Sequence, residues 1–447
     1  MSAAVPDYVG HKFSEAPPGH RFRLYFEGWE SGTWELAGDE ARWQALRQCL
    51  TVPPEAARAL EALRKRQTVA LSRRGSDVLS LQAWTHSPLA TGLGEDHPNE
   101  NGCRFLDPYG LPFLPGSGVC GAVRRAAEEL ALLGDGASGW SIVEVLLLFG
   151  LDENAAYLRA PQVAQGSLAR EEIGAWRARY EQHVSALEAD KLRWLVPIVE
   201  QTGGSRDVDA ETVRAWLRGL QSERTDRSVP RWRGALVFHD VYPALPPGGM
   251  HLEVMTPHFA PWYRGEAEWP TDDMGPLPLG FLAIGTGVEL SVPVEYRPWA
   301  FVPAGLGDRW RELVKTAFEY AGREVGFGAK TSAGYGRVGL RPPVADPGEQ
   351  RRRELEEKRR EQEERHKAQQ ALDAFERARV DLRQWSSPKF EAYFARFRNA
   401  VGEERRRWAE VLREAAQAKG VWEAPRKKSL KTKIKDLKRY FDAEGGA

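Results

Sequence analysis

Apolar and polar residues alternate from Val78 to Thr85, with Leu79, Leu81 and Ala83 on one side of the chain and polar residues and Trp84 on the other. A period of two residues predicts a β-strand that is buried on one face.

Two longer segments carry apolar residues at helical spacing. The first follows the turn Pro115-Gly116, has Ser117 as its expected N-cap and stops near Gly134. Its apolar stripe contains Val123, Ala126, Ala127, Leu130 and Leu133. The stripe of the second contains Trp310, Leu313, Val314, Ala317, Phe318 and Ala321. Each pattern predicts a helix with one face packed on a core.

Short apolar or alternating segments lie between and after these helices. They are Ala235 to Tyr242, His251 to Met255, Leu279 to Ile284, Val288 to Val294 and Tyr335 to Leu340. Gly285-Thr286-Gly287 predicts a hairpin between the third and fourth of them. The order strand, helix, strands, helix, strand predicts an α+β, ferredoxin-like (RRM-type) core with extra strands.

The remaining segments predict three domains. Residues 1–76 form an N-terminal extension, irregular apart from a helical stretch around Trp43 and Leu46. Residues 77–341 form the core, interrupted at about 136–233 by a helical insertion with Trp140, Trp176, Trp194, Leu195 and Trp216 as packing residues. Residues 342–447 form a charged, α-helical C-terminal domain.

Within that C-terminal domain, residues 349–384 predict one helix rich in charge pairs, interrupted at Ser386-Ser387-Pro388. An aromatic helical face follows, with Phe390, Tyr393, Phe394 and Phe397. The last piece, Arg426 to Arg439, holds eight basic residues and one acid. Two interpretations stay open for it: an RNA-binding segment, or a solvated amphipathic helix that buries Leu430, Ile434 and Leu437.

Composition narrows the class of protein. The chain has 447 residues, 42% of them hydrophobic, and three cysteines without a Cys-x-x-Cys pair, so a disulfide framework or a structural zinc site is not expected. No segment is long and apolar enough to predict a membrane span, and the expected location is the cytoplasm. The net charge is zero, but residues 342–447 hold 27 lysines and arginines against 20 acids, a net of +7. The rest of the chain therefore carries −7.

The richest candidate chemistry lies in the stretch Gly326 to Gly336, which we call the glycine loop. Gly326, Gly328, Gly334 and Gly336 free the backbone to turn, and Gly326, Gly328 and Gly334 would let a partner approach closely. The potential phosphate ligands and hydrogen-bond donors are Lys330, Thr331, Ser332 and Arg337, and Tyr335 would either stack on a base or fill the core. These groups suit a phosphate backbone. The alternative is an ordinary turn.

Two other segments carry candidate RNA contacts. At the start of the first helix, Ser117 and Gly118 would present unpaired N–H groups, and Arg124 and Arg125 would add positive charge. At the end of the helical insertion, Arg227 and Arg231 lie in an arginine-rich loop beside Trp232. For both segments the alternative is that the charged residues are simply solvated at the surface. In the second segment, Trp232 would then pack onto the main body of the protein.

The runs Leu114 to Arg124 and Gly326 to Arg337 resemble the two signatures of the RAMP superfamily of CRISPR-associated RNA-binding proteins. Between them, Phe238 to Pro243 and Met255 to Phe259 are similar to the subunit-six family of the type III-B (Cmr) effector complex. One departure is Cys120, where family members usually carry a lysine or arginine, which puts a phosphate contact from that position in doubt.

The resemblance implies a ferredoxin-like core and a non-catalytic RNA-binding backbone subunit of a Cmr complex. Its expected partners are guide RNA, target RNA and other RAMP subunits, in antiviral defence, with no cofactor. Some RAMP relatives cleave RNA, so an endoribonuclease that uses His97 or Asp96 is one alternative. A pure protein-protein adaptor is another.

Overall fold

The structure is a computed structural model. It describes residues 3–10, 12–134, 136–152, 155–160, 167–203, 207–221, 232–256, 259, 262, 265–271, 278–342, 374–384, 386–425 and 427–444. The chain divides into two compact units, Met1–Pro343 and Val344–Ala447. The two units are described separately below.

The strands of the first unit are β1 (Val78–Thr85), β2 (Phe105–Leu106), β3 (Leu111–Pro112), β4 (Leu236–Phe238), β5 (Met250–Met255), β6 (Leu279–Ile284), β7 (Glu289–Tyr296) and β8 (Val338–Gly339). Its helices are α1 (Pro18–Arg23), α2 (Asp39–Gln48), α3 (Pro54–Ser72), α4 (Gly116–Leu132), α5 (Ile142–Phe149), α6 (Ser167–Ala186), α7 (Ala189–Leu192), α8 (Val196–Gly203), α9 (Ala210–Gly219), α10 (Ala304–Gly307) and α11 (Trp310–Tyr320). The unit therefore mixes helices and antiparallel sheets.

The central sheet has four antiparallel strands in the order β4-β7-β1-β8. The alternation predicted for β1 is confirmed, because Leu81 and Ala83 are buried while Ser80 and Gln82 are exposed. The face that carries Leu81 and Ala83 is covered by α4 and α11. All six residues of the predicted α11 stripe are buried in this core.

The predicted hairpin between β6 and β7 is wrong. β6 pairs with β5 in a separate two-stranded sheet, whereas β7 lies between β4 and β1. Thr85 separates the two strands, because its Oγ1 donates to the Gly285 carbonyl at 2.7 Å and accepts from the Val288 amide at 2.9 Å. A side chain from β1 thus takes the hydrogen bonds that a hairpin turn would have made.

Several local predictions also need correction. The N-terminal region is more helical than predicted, because it contains α1, α2 and α3, and α3 begins at Pro54, a position that suits proline. Leu133 lies beyond the end of α4 and is exposed. The segments that contain β4 and β8 pair over fewer residues than their apolar patterns predicted.

The described part of the insertion is helical, from α5 to α9. Trp140, Trp176 and Leu195 are buried there, and Trp194 and Trp216 pack against the same core. Within the described residues, no helix combines the length and the apolar character needed to cross a membrane.

The second unit is helical where it is described. Its helices are α12 (residues 374–383), α13 (Ser387–Asn399), α14 (Gly402–Ala418) and α15 (Lys428–Glu444). The Ser386 side chain accepts from the Lys389 amide and caps α13. The core contains Phe390, Phe394 and Phe397, together with Leu430, Ile434 and Leu437 from α15. Most of the predicted charged helix over 349–384 lies outside the described residues.

Candidate nucleic-acid interface

The glycine loop continues directly from α11. A π-helical turn, Ala321–Val325, ends at Gly326, whose φ of 82° is in the left-handed region that favours glycine. The loop then runs along residues 86–90. The Ala329 amide donates to Ala90, the Gly336 amide donates to Pro88, and the His86 amide donates to Arg337. The loop is therefore anchored to the chain that follows β1, along most of its length.

The glycines of this loop serve different purposes. A Cβ atom on Gly328 would lie 2.3 Å from the Ala90 carbonyl oxygen, and one on Gly336 would lie 1.9 Å from the Phe327 carbonyl oxygen. Gly326 is similarly confined by Thr331. Gly334 differs, because it is exposed, has a φ of 91° and has nothing within 4 Å of its Cβ position. Only Gly334 leaves open space for another molecule.

Lys330 of the glycine loop and Arg337, which directly follows the loop, both contact the protein itself. The Lys330 Nζ contacts the Met255 sulfur and lies 5.6 Å from the centre of the Phe281 ring. The Arg337 guanidinium donates to the Arg323 carbonyl. For either side chain to reach a phosphate, it would have to exchange these contacts.

Tyr335 is partly buried and packs against the small apolar cluster that contains Phe281. Its hydroxyl donates to Glu253 at 3.0 Å, and its ring centre lies 5.5 Å from that of Phe281. Burial, together with the hydrogen bond to Glu253 and its charge, raises the pKa of Tyr335 to about 12. The hydroxyl is therefore a neutral donor at ordinary pH.

The exposed tip of the loop offers hydrogen-bond donors. Within the described residues, the amides of Thr331 and Ser332 have no intramolecular acceptor, and Ser332 is exposed. Gly334 follows directly, without a side chain to block access. Adjacent amide donors of this kind can hold an anion.

The first signature starts α4, but not as predicted. The helix begins at Gly116 with Pro115 in the N-cap position, so the prediction that Ser117 caps it is wrong. Pro115 has no side-chain acceptor to offer the first amides of the helix. Asp240 caps the Gly116 amide at 2.8 Å. This carboxylate already uses part of the helix end that was expected to attract an anion.

The exposed side of the first two turns of α4 is nearly bare of side chains. Ser117, Gly118 and Gly121 lie on one side of the helix and are all exposed. No heavy atom lies within 4 Å of a Cβ position on Gly118 or Gly121. We call these three residues the glycine face. Nothing in the described protein explains why two glycines stand there.

Arg124 and Arg125 are paired with acids. Arg124 binds Glu128 at 2.9 Å in a largely buried position, and Tyr157 donates to the same carboxylate. Arg125 binds Glu129 at 2.7 Å and stacks over Trp176. Both arginines therefore connect α4 to the helical insertion.

Arg227 and Arg231 lie outside the described residues. Trp232, which follows them, is packed on the body, with its Nε1 donating to the Leu146 carbonyl at 2.9 Å and its ring stacked on Trp216. This tryptophan is not placed to stack on a base.

His97 is poorly placed for general base chemistry. Its Nε2 bonds to the Phe22 carbonyl at 2.9 Å, its Nδ1 accepts from the Asn99 amide, and its ring stacks on Phe22. Burial lowers its pKa, against the opposing effect of the bond to Phe22. Its neighbour Asp96 is exposed. Among the described residues, no group of three or more His, Cys, Asp or Glu could hold a metal ion.

The chain segments next to the two candidate surfaces reach opposite edges of the central sheet. Leu114, just before α4, bridges to Val241 beyond β4, whereas the glycine loop leads into β8 at the other edge. Gly121 and Asp240 lie in segments that resemble the family, but the sequence analysis assigned neither of them a role in the site. The spacing of Gly118 and Gly121 on a predicted helix could have indicated that Gly121 shares one side of that helix with Gly118. Asp240 is distant in the sequence and gave no local signal.

The family model of the RAMP superfamily matches residues 85–339, which include both glycine segments and most of the central sheet. The chain belongs to the RAMP superfamily. This RAMP protein is 29% identical over 266 residues to "CRISPR system Cmr subunit Cmr6" of Pyrococcus furiosus, a match that covers 57% of this chain and 65% of the relative. The chain thus spans just under two thirds of the length of that curated relative.

Two solved structures are also similar to this RAMP protein. One is a cryo-EM structure of the type III-B Cmr-beta bound to cognate target RNA, with 14% identity, a TM-score of 0.34, and coverage of 69% of this chain and 78% of that chain. The other is the crystal structure of Cmr6 from Pyrococcus furiosus, with 20% identity, a TM-score of 0.26, and coverage of 59% and 97%.

Proposed function

We propose that this RAMP protein binds RNA through the glycine face of α4 and the exposed tip of the glycine loop. In this proposal it is a non-catalytic backbone subunit of a type III-B CRISPR effector complex, where it binds guide RNA and helps to recognise target RNA in antiviral defence. Membership of the RAMP superfamily and the similarity to Cmr6 support this assignment.

We also infer that the core is ferredoxin-like. The elements β1, α4, β4, β7, α11 and β8 occur in the order β-α-β-β-α-β along the chain, with other strands and helices inserted between them. The first and third of these strands, β1 and β7, are neighbours at the centre of the sheet. This order and pairing support the inference.

The open space around Gly118 and Gly121 is the observation that carries the proposal. A glycine inside a helix costs about 0.5–1 kcal/mol relative to alanine. Gly328 and Gly336 let the protein's own backbone approach closely, but a Cβ atom on Gly118 or Gly121 would meet nothing beyond the backbone of its own helix. A surface without side chains lets the backbone of another molecule approach the helix.

The donors at the loop tip favour a phosphate-bearing partner. Amides of Thr331 and Ser332, with the Ser332 hydroxyl, can bond phosphate oxygens without reading the base. In this proposal one RNA strand contacts both the glycine face and the loop tip.

The arrangement of His97 supports a non-catalytic role. Both ring nitrogens are engaged by the backbone, so neither can accept a proton from a ribose hydroxyl without giving up a buried hydrogen bond. In this proposal the protein holds RNA in place and does not cut it.

The test is RNA binding by the full-length chain, measured as the fluorescence anisotropy of a labelled single-stranded RNA. The variant Gly118→Gln plus Gly121→Gln fills the glycine face with side chains that favour helix, and Ser332→Asp places a negative charge at the loop tip. We expect each to weaken binding about tenfold or more, because one blocks close approach and the other repels phosphate.

Gly174→Gln is the matched control, because Gly174 also lies inside a helix with nothing within 4 Å of its Cβ position. It should leave RNA affinity unchanged. If the Gly118→Gln plus Gly121→Gln variant binds RNA like the wild type but loses other Cmr subunits, the glycine face contacts protein and the RNA assignment is wrong.

A further inference from the structure

The last helix of the second unit, α15, carries a row of cations on its outer side. Its inner side buries Leu430, Ile434 and Leu437 in the core of that unit. The row consists of Lys428, Lys431, Lys435 and Arg439, all exposed, and we call it the basic row. Spacings of three, four and four residues keep these side chains on one side of the helix, away from the buried stripe.

The other lysines of this helix behave differently. Lys433 binds Glu391 at 2.5 Å and Lys438 binds Glu423 at 2.8 Å, so both charges are neutralised within the unit. Within the described residues, no side chain of the basic row has an ion-pair or hydrogen-bond partner. The helix thus separates paired lysines from a row of unpaired cations.

The row has the dimensions of a short stretch of nucleic-acid backbone. With a rise of 1.5 Å per residue, its cations are spaced about 4.5–6 Å apart along the axis and span roughly 16 Å. Such spacing lets successive side chains reach successive phosphates. A rigid helix also fixes the row before binding.

The composition of the row argues against other partners. Protein interfaces are depleted in lysine at their centre and contain apolar or aromatic residues, which this row lacks. A helix that binds a membrane surface inserts an apolar face, but the apolar face of α15 is buried in its own core. A line of unpaired cations is the usual electrostatic footprint of a phosphate backbone.

We propose that the basic row binds the sugar-phosphate backbone of a nucleic acid without sequence preference. This site is additional to the glycine face and the glycine loop, and its assignment does not depend on theirs. Lysine and arginine side chains on one helix face neutralise phosphates but do not read bases, so binding should be sensitive to salt and tolerant of sequence.

The test compares two double variants of the full-length chain that remove the same charge from the same helix. Lys431→Gln plus Lys435→Gln removes the middle of the basic row, whereas Lys433→Gln plus Lys438→Gln removes the paired lysines. Binding to a labelled single-stranded RNA, and to DNA of the same sequence, is measured over a series of salt concentrations.

We expect the first variant to lower the slope of log affinity against log salt by about 1.4, since each phosphate contact to a single strand contributes about 0.7. The second should change the slope by less than about a third of that. Lys431→Arg plus Lys435→Arg keeps the charge and should restore binding. Unchanged melting curves will establish that all variants are folded.

Equal losses of nucleic-acid affinity in the two Gln variants would overturn the proposal. The affinity would then depend on the net charge of the protein and not on the position of the cations in the basic row. Unchanged binding of both RNA and DNA by the first variant would also overturn the proposal. The same pair is also measured in the Gly118→Gln plus Gly121→Gln background. A slope change that persists there supports the basic row even if the glycine face does not bind RNA.

Discussion

At the scale of single residues, the surroundings of each glycine decide what it contributes. Gly336 is buried, has a φ of 72°, and leaves no room for a Cβ beside the Phe327 carbonyl. Gly118 has helical geometry and open space around it. The protein's own backbone packs where a side chain on Gly336 would lie, whereas no packing within the described protein calls for a glycine at position 118.

This contrast predicts opposite effects for the same substitution. Gly336→Ala should lower the free energy of unfolding by about 2–4 kcal/mol, because it combines a strained φ with overpacking against backbone. Gly118→Ala should raise it by about 0.5–1 kcal/mol through better helix propensity. Urea denaturation of both variants provides the measurement. Destabilisation by Gly118→Ala would reveal an intramolecular role for this glycine.

At the scale of elements, Thr85 holds two sheets apart at the end of β1. Its hydroxyl is fully buried and bonds the backbone on both sides of the Gly285–Gly287 turn. This arrangement turns β6 away from β7 and towards β5. It also positions residues 86–90, along which the glycine loop is anchored.

Replacing this hydroxyl with a methyl group should therefore be costly. Thr85→Val keeps the shape of the side chain but leaves the Gly285 carbonyl and the Val288 amide without their partner, for a loss of about 2–4 kcal/mol in unfolding free energy. Thr85→Ser keeps the hydroxyl and should lose about 1 kcal/mol. Thermal and urea unfolding can measure both. Similar losses in the two variants would mean that the methyl group, and not the hydrogen bonds, matters at this position.

Sequence patterns predicted correctly the elements that are determined by residues close together in the sequence. The period of β1 and the apolar stripe of α11 follow from neighbouring residues, and so do the glycines of the loop. The hairpin prediction failed because Thr85 is two hundred residues away from the turn that it occupies. The contacts of Lys330 with Met255 and of Gly116 with Asp240 likewise come from distant segments, so no local pattern could reveal them.

At the scale of the whole molecule, each of the two compact units has its own main hydrophobic core. One packs α4 and α11 on the central sheet, and the other packs α12 to α15. The zero net charge also divides between the two parts of the sequence, because residues 342–447 hold the excess of lysine and arginine. The proposed binding surfaces differ in the same way. The first unit carries the glycine face and the amide donors of the glycine loop, and the second unit carries the basic row.

Separate cores predict that a cavity in one unit leaves the other intact. Leu412 is fully buried in the second unit, and Val314 is fully buried in the first. Leu412→Ala should destabilise its unit by about 2–5 kcal/mol through lost burial and a cavity, and Val314→Ala should act on the first unit in the same way, with a smaller loss. Hydrogen exchange followed by mass spectrometry resolves the effect by peptide. Faster exchange should appear in α13 to α15 for Leu412→Ala and in α4 and α11 for Val314→Ala. If either variant accelerates exchange in both sets of peptides, the two cores unfold as one cooperative unit.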